Sequence, residues 1–204
     1  MKRFGPDRLL EQLRPHVKDE RVLEAIREVP RDRFVPPELA SEAWQNVPLP
    51  IGAGQTISQP LVVARMCELL ELQGDERILD VGTGSGYHAA LLARLGAHVW
   101  SVERHRALSE QAQQNLDRAG VSNVTLVVGD GARGLPETAP FDAINVAAKA
   151  EGEVPPALEE QLAVGGRLIA PVAREGAEHL VFVRRRPDGL ERTLLNAVRF
   201  VPLR

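Results

Sequence analysis

Between Arg77 and Tyr87 the chain reads RILDVGTGSGY, and this stretch concentrates the residues that could hold a ligand. Ile78, Leu79 and Val81 form a short apolar run of the kind buried in a parallel sheet. Gly82, Gly84 and Gly86 follow on alternate positions, and His88 to Leu95 (HAALLARL) then reads as a helix. Glycines there let the backbone turn sharply and approach a ligand, while the helix start offers free N–H groups. Glu103 closes the next apolar run, Val99–Val102. An acid roughly twenty residues past such glycines accepts hydrogen bonds from ribose hydroxyls; the plainer alternative is a surface acid opening the helix at His105. Asp130 and Gly131 follow a third run, Val124–Val128, and suit an adenine amino group or a loop contact. Ligand-type residues at three successive strand ends point to a nucleoside-bearing ligand.

The spacing narrows the choice. A dinucleotide fingerprint, G-x-G-x-x-G, would place its third glycine at position 87, which is Tyr87; here it falls one residue early, at Gly86. Asp80, just before the turn, would sit near the sulfonium and amino groups of S-adenosylmethionine and would repel a pyrophosphate. The stretch therefore favours a methyltransferase over a nicotinamide-dependent dehydrogenase. A strand-to-helix turn without a ligand is the bland reading.

Elements must hold these residues in place. Pro6 to Glu28 shows two helical segments, with Leu9, Leu10 and Leu13, then Val22, Ile26 and Val29, at helical spacing; they are expected to cap one edge of the domain. Pro30 to Pro60 is rich in proline and glycine and reads as a long functional loop. Pro60 opens a helix with Leu61, Ala64, Met66, Leu69 and Leu70 expected on its inner face. Strands are expected at Arg77–Val81, His98–Val102, Val124–Val128, Ala143–Val146, Arg167–Val172, His179–Val183 and Leu194–Val201, and helices at Tyr87–Leu95, His105–Ala119 and Pro155–Leu162. The first four strands alternate with other elements and should be parallel; the last three, joined by turns at Arg174–Gly176 and Pro187–Gly189, should bring an antiparallel pair to the edge.

The totals set bounds. At 204 residues the chain suffices for one well-buried domain. A net charge of −3 argues against a nucleic-acid footprint or a membrane surface. Arg184–Arg186, the one basic run, precedes Pro187-Asp188-Gly189 and reads as a solvated hairpin end. The single cysteine, Cys67, can form neither an internal disulfide nor a zinc cluster, and the five histidines lack metal-ligand spacing. No apolar run is long enough to span a bilayer. These features suit a soluble protein of a reducing, cytoplasmic compartment.

The chain resembles the protein-L-isoaspartate O-methyltransferase family. The resemblance rests on VPRDRFVP (Val29–Pro36), PLPIGAGQTISQP (Pro48–Pro60), LDVGTGSGYHAALLA (Leu79–Ala93), VER (Val102–Arg104), GDGARGLPETAPFDAI (Gly129–Ile144), GGRLIAPV (Gly165–Val172) and RFVPL (Arg199–Leu203). It implies an α/β, Rossmann-like S-adenosylmethionine-dependent methyltransferase fold: a mostly parallel, doubly wound sheet with an antiparallel edge and an N-terminal helical extension. Residues 1–204 would form a single domain, with 1–60 contributing to the active site of a cofactor-binding core at 61–204. The implied reaction moves a methyl group from S-adenosylmethionine to the free α-carboxylate of L-isoaspartyl, and of D-aspartyl, residues in damaged proteins. The ester then cyclises to a succinimide that reopens in part to aspartate.

By position, Ser58 matches the family's active-site serine, with Thr56 and Ile57 in the same pocket. Asp80 and the run Gly82, Thr83, Gly84, Ser85 and Gly86 would hold the methionine part of the cofactor, Glu103 the ribose, and Asp130 with Gly131 the adenine. Trp44, Ile51 and the segment Phe200, Val201, Pro202 and Leu203 would hold the substrate backbone. The implied partners are isoaspartyl-containing proteins, with neither nucleic acid nor membrane; the oligomeric state is left open, a monomer included. Three features depart from the family pattern: Ala147 stands where a threonine is usual, the segment Lys149–Glu153 is more polar, and Trp44 replaces a tyrosine.

The chemistry is coherent on its own terms. A carboxylate with a pKa of about 3.5 is ionised at neutral pH and needs no general base. Ser58 would then aim it as a hydrogen-bond donor, unless its hydroxyl only caps the helix at Pro60. A methyltransferase acting on a small molecule or RNA, and a cofactor-binding module with reduced catalysis, are the competing readings.

Overall fold

In the computed structural model, residues 5–174, 176–197 and 200–203 are described. The N-terminal apolar spacing forms α1 (Pro6–Leu13), which opens on a proline, and α2 (Glu20–Glu28), capped by the Asp19 carboxylate accepting from Arg21 N–H. Both helices share one apolar cluster with α3 (Pro60–Leu69) and with Ile78 of the sheet. Helix α1 packs on α2, and α2 on α3 and the helix at Tyr87–Leu95, with Leu9, Leu10, Leu13, Leu23 and Ile26 buried among them.

The segment 30–60 is more ordered than its proline and glycine content suggests. It holds two 3-10 turns, Arg31–Phe34 and Pro37–Leu39, and a hairpin of β1 (Leu49–Gly52) and β2 (Gln55–Ile57). In α3 the buried side chains include Val63 and Cys67 beside Ala64 and Met66, while Leu61 and Leu69 are half-buried; the inner face is rotated from the expected one.

The core then runs β3 (Arg77–Val81), α4 (Tyr87–Leu95), β4 (His98–Glu103), α5 (Arg106–Ala119), β5 (Val124–Val128), β6 (Phe141–Val146), β7 (Ala150–Glu151), α6 (Pro156–Glu160), β8 (Leu162–Arg174), β9 (Ala177–Arg186) and β10 (Gly189–Ala197). The strand order is β10-β9-β8-β6-β3-β4-β5, with the short β7 also paired to β8. From β5 to β8 neighbours are parallel, and β8–β9 and β9–β10 are antiparallel. Helix α6 is shorter and β8 longer than expected, because Leu162 already pairs with Phe141. The last strand starts at Gly189, directly after the Pro187-Asp188 turn, rather than at Leu194; the rest of the expected strand includes 198 and 199, which lie outside the described residues, as does position 175 of the preceding turn. Arg184 and Arg186 pair with Glu71 and Glu191, and Arg185 donates to the Glu159 carbonyl, so the basic run is engaged by its own chain.

Apolar residues pack on both faces. Ile78, Val99 and Ala143 face the α3–α4 side, while Leu79, Val81, Ile144 and Val146 face the α6 side. Because side chains alternate along a strand, Asp80 points to the same side as Ile78. The chain proceeds from β3 outward to β5 and then crosses back to β6 on the other side of β3. That reversal opens a crevice at the carboxyl ends of the strands, where parallel α/β sheets take their ligands.

Candidate active site

A cavity occupies that crevice. Its walls come from the glycine turn (Val81 to Ser85), from the ends of β4 (Val102 to His105), β5 (Gly131) and β6 (Ala147, Ala148), and from Tyr87 and His88 of α4. Two distant segments complete it: Gln55 to Ser58 from the hairpin and Val201 to Leu203 from the C-terminal segment.

The glycine turn is built by backbone hydrogen bonds. Gly82 N–H donates to Val102 O at 2.9 Å and Gly86 N–H to Thr83 O at 2.8 Å. Gly82, Gly84 and Gly86 all have positive φ (+96°, +53° and +87°), a conformation that strains other residues. Asn115 of α5 donates to Ser85 O at 2.9 Å and holds the turn from outside.

Glu103 is 6% exposed, yet it lines the cavity. Its two carboxylate oxygens accept from Gly84 N–H at 3.0 Å and from His105 N–H at 2.9 Å. It therefore braces the glycine turn and the start of α5 together, and each oxygen keeps a lone pair for another donor. Gly131 lines the cavity because a side chain has no place there: a Cβ would lie 2.5 Å from Val81 Cγ1.

Ser58 sits half-buried at the cavity and its carbonyl accepts from Arg31 Nη2 at 2.9 Å. Arg31 is wholly buried, donates from Nε to Ala43 O at 2.8 Å, and lies 4.8 Å from the centroid of the Tyr87 ring. Burial pushes its pKa down to about 10, still charged at neutral pH. This cation ties the Ser58 segment to the first residue of α4. The start of α3 is served by another residue: Leu61 N–H donates to Asn46 Oδ1 at 3.0 Å, and Gln59, at the cap position, makes no side-chain cap bond. The C-terminal segment docks on the chain after β6, where Lys149 N–H donates to Val201 O at 2.7 Å and Leu203 N–H to Lys149 O at 2.6 Å. The polar Lys149–Glu153 stretch thus forms the support for that segment, with Lys149 Nζ 3.3 Å from Glu178 and 3.4 Å from Glu151.

Thr56, Ile57, Ser58, Gly82, Thr83, Gly84, Ser85, Glu103, Gly131, Val201, Pro202 and Leu203 converge on this one cavity. Six expected residues do not line it. Asp80 is fully buried behind the turn, where β3 pairs it with Ser101 on one side and Asn145 on the other. Its carboxylate accepts from Ser101 Oγ at 2.6 Å and from Asn145 Nδ2 at 2.7 Å. Desolvation pushes its pKa up to about 6, against the lowering effect of those two bonds. Gly86 packs against α5, where a Cβ would lie 3.3 Å from Ala112 Cβ. Asp130 is exposed and turns back to its own chain, accepting from Ala132 N–H at 3.0 Å. Trp44 is half-buried against the apolar core; Ile51 lines a neighbouring groove that meets the cavity at Gly84 and Ser85. Phe200 is half-buried, its N–H donating to Glu178 Oε2 at 2.7 Å.

Sequence reasoning passed over Arg31, Asn145 and His88. Asn145 gave a signal, a polar residue inside the apolar strand FDAINV, but its partner Asp80 lies 65 positions away and only the strand register joins them. His88 lines the cavity at 7% exposure, and burial pushes its pKa down to about 3, so its imidazole is neutral.

The protein-L-isoaspartate(D-aspartate) O-methyltransferase family model matches residues 6–204. A protein-L-isoaspartate O-methyltransferase 2 from Marinobacter nauticus is 53% identical over 189 residues, which cover 92% of this chain and 86% of the relative. A solved structure of a protein-L-isoaspartate O-methyltransferase superposes with a TM-score of 0.86 at 31% identity, covering 97% of this chain and 65% of its own. A second, from Plasmodium falciparum in complex with S-adenosyl-L-homocysteine, gives a TM-score of 0.85 at 26% identity and covers 98% of both chains.

Proposed function

The chain belongs to the protein-L-isoaspartate(D-aspartate) O-methyltransferase family, and on that premise we propose that it methylates the free α-carboxylate of isoaspartyl residues in damaged proteins. S-adenosylmethionine supplies the methyl group as an electrophilic sulfonium substituent. The observation that carries the reading is the convergence of the Ser58 segment and the Val201–Leu203 segment on a cavity floored by the glycine turn.

The residues fit such a cofactor. The turn lets backbone approach closely, Glu103 offers braced acceptor oxygens for hydroxyl groups, and Gly131 leaves room where a side chain would intrude. Asp80 contributes through the layer behind, by holding Ser101 and Asn145 in register. The carboxylate to be methylated needs no base, and no side chain at the cavity has to take a proton. Ser58 donates a hydrogen bond that aims it, and Arg31 holds the Ser58 backbone at the required height. The Val201–Leu203 segment, fixed by its two bonds to Lys149, forms part of the cavity wall and meets the substrate backbone. Positioning and exclusion of water of this kind can supply roughly 7–11 kcal/mol of rate acceleration. Residues 1–60 and 61–204 act here as one unit. The free, fully buried Cys67 thiol suits a reducing compartment, and the proposed site of action is the cytoplasm.

The product tests the proposal. Incubating the protein with S-adenosylmethionine and an isoaspartyl peptide should yield a single base-labile methyl ester, which expels methanol to give the succinimide; water then opens this in part to the aspartyl peptide, resolved by chromatography from its equal-mass isoaspartyl twin. A base-stable methyl group, or transfer only to RNA or small acids, would remove the repair function.

A further inference from the structure

A buried chain of hydrogen bonds runs behind the glycine turn and ends on an atom without a partner. Thr83 Oγ1 lies 2.6 Å from Ser101 Oγ, which donates to Asp80 Oδ2. Asn145 Nδ2 donates to Asp80 Oδ1 at 2.7 Å and lies 3.2 Å from His88 Nδ1. His88 Nε2 is buried with no hydrogen-bond partner, although His88 lines the cavity. The other unpartnered buried side-chain atoms among the described residues are Tyr87 Oη and Arg31 Nη1, whose groups pack together, and Asn145 Oδ1 within the same chain of bonds.

The network assigns the proton on His88. Asp80 can only accept from Asn145, so the atom facing it is the amide nitrogen, and that nitrogen meets Nδ1. Nδ1 is thus the acceptor, and the ring hydrogen is on Nε2. Donation into Nδ1 polarises the ring and strengthens the Nε2–H as a donor. A neutral donor at the wall of the cavity finds its strongest acceptor in an anionic oxygen.

We propose that His88 is a ligand-contacting residue whose Nε2–H donates a hydrogen bond to a carboxylate bound in the cavity. This deepens the proposed methyl transfer and rests on it, because that reaction brings two carboxylates to the site: the amino-acid end of the cofactor and the α-carboxylate of the substrate. Both are the same chemistry, and the test separates them.

Protein labelled with nitrogen-15 at histidine, with the His88 signal assigned by its loss in His88→Gln, reports the tautomer without any turnover. The ligand-free protein should show the Nε2–H tautomer. Its Nε2–H proton should move downfield on adding either S-adenosylhomocysteine or an isoaspartyl peptide, and the ligand that moves it is the source of the carboxylate. An Nδ1–H tautomer, or an unmoved signal when calorimetry shows both ligands bound, would overturn the assignment. His88→Leu should then bind the ligand identified about tenfold more weakly, a change worth about 1.4 kcal/mol, and His88→Gln should recover most of it. Equal affinity in the parent and His88→Leu would also overturn it, and if His88→Leu fails to fold, the tautomer measurement on the parent still decides. The two readings fail separately: an unmoved signal with isoaspartyl methylation intact removes only the role of His88, whereas absent methylation with a signal moved by S-adenosylhomocysteine removes only the substrate.

Discussion

Ser58 could serve either of two roles on its sequence alone, capping a helix or aiming a substrate. The geometry gives the helix start to another residue and leaves Ser58 with the proposed aiming role. Asn46 Oδ1 accepts from the N–H of Leu61 at the start of α3, while Ser58 faces the cavity with its carbonyl held by Arg31. Ser58→Ala should therefore lower single-turnover methyl transfer by about 10²-fold, the cost of a misplaced reacting group, with its melting temperature unchanged. Asn46→Ala should do the reverse, losing about 1 kcal/mol of stability and keeping the rate. Thermal melts and single-turnover rates on both variants check the pair; a Ser58→Ala protein that melts early and turns over normally would return the serine to a capping role.

At the scale of elements, β3, β4, β6 and α4 share the row Ser101–Asp80–Asn145–His88, and its two ionisable groups respond to pH in opposite directions. His88 is held down at about 3 in the fold, whereas in the unfolded chain it takes up a proton near its ordinary 6.5. The unfolded state therefore binds more protons between those values, and the stability that depends on neutral His88 is complete above about pH 6.5 and is lost as pH falls below it. Asp80, held up at about 6 against an ordinary 3.8, works the other way and gains stability as pH falls through 6. Removing only the histidine isolates the first effect. Between pH 7 and 5 the parent should lose about 2 kcal/mol more unfolding free energy than His88→Leu, measured by urea titration. Parallel curves would mean that His88 is open to solvent.

The same row marks what a sequence can and cannot disclose. Glycines and acids at strand ends were legible because their neighbours in the chain give them meaning: a strand before, a helix after. The parallel core from Arg77 to Val146, the antiparallel edge and the meeting of Glu103 with Gly131 can be read that way, whereas Ser58 is marked only by the family resemblance. The Asp80–Asn145 pair could not, since it depends on which strand lies beside β3. Likewise the sequence sets Asp80 beside the ligand, whereas the pleat of β3 sends it behind the turn, and that pleat is settled by which face Ile78 and Leu79 bury. The order in residues 31–57 was hidden because a hairpin of short strands and two 3-10 turns leaves little hydrophobic period to detect.

At the scale of the whole molecule, the proposed function draws its substrate selection from segments far apart in the chain. The hairpin brings Thr56 to Ser58 to one side of the cavity, and the docking of Val201 to Leu203 on Lys149 brings the C-terminal segment to another. In an isoaspartyl residue the main chain runs through the side-chain carboxyl and leaves the α-carboxylate free; in aspartate the free carboxylate stands one methylene further out. A clamp on the peptide backbone turns that difference into a displacement of about 1.5 Å at the reacting oxygen, enough to cost on the order of 10²-fold in rate. The most direct measurement is kcat/KM for methyl transfer to two peptides identical except for one isoaspartyl or aspartyl residue. The isoaspartyl peptide should be favoured by at least about 10²-fold, and equal values for the two would contradict the repair function.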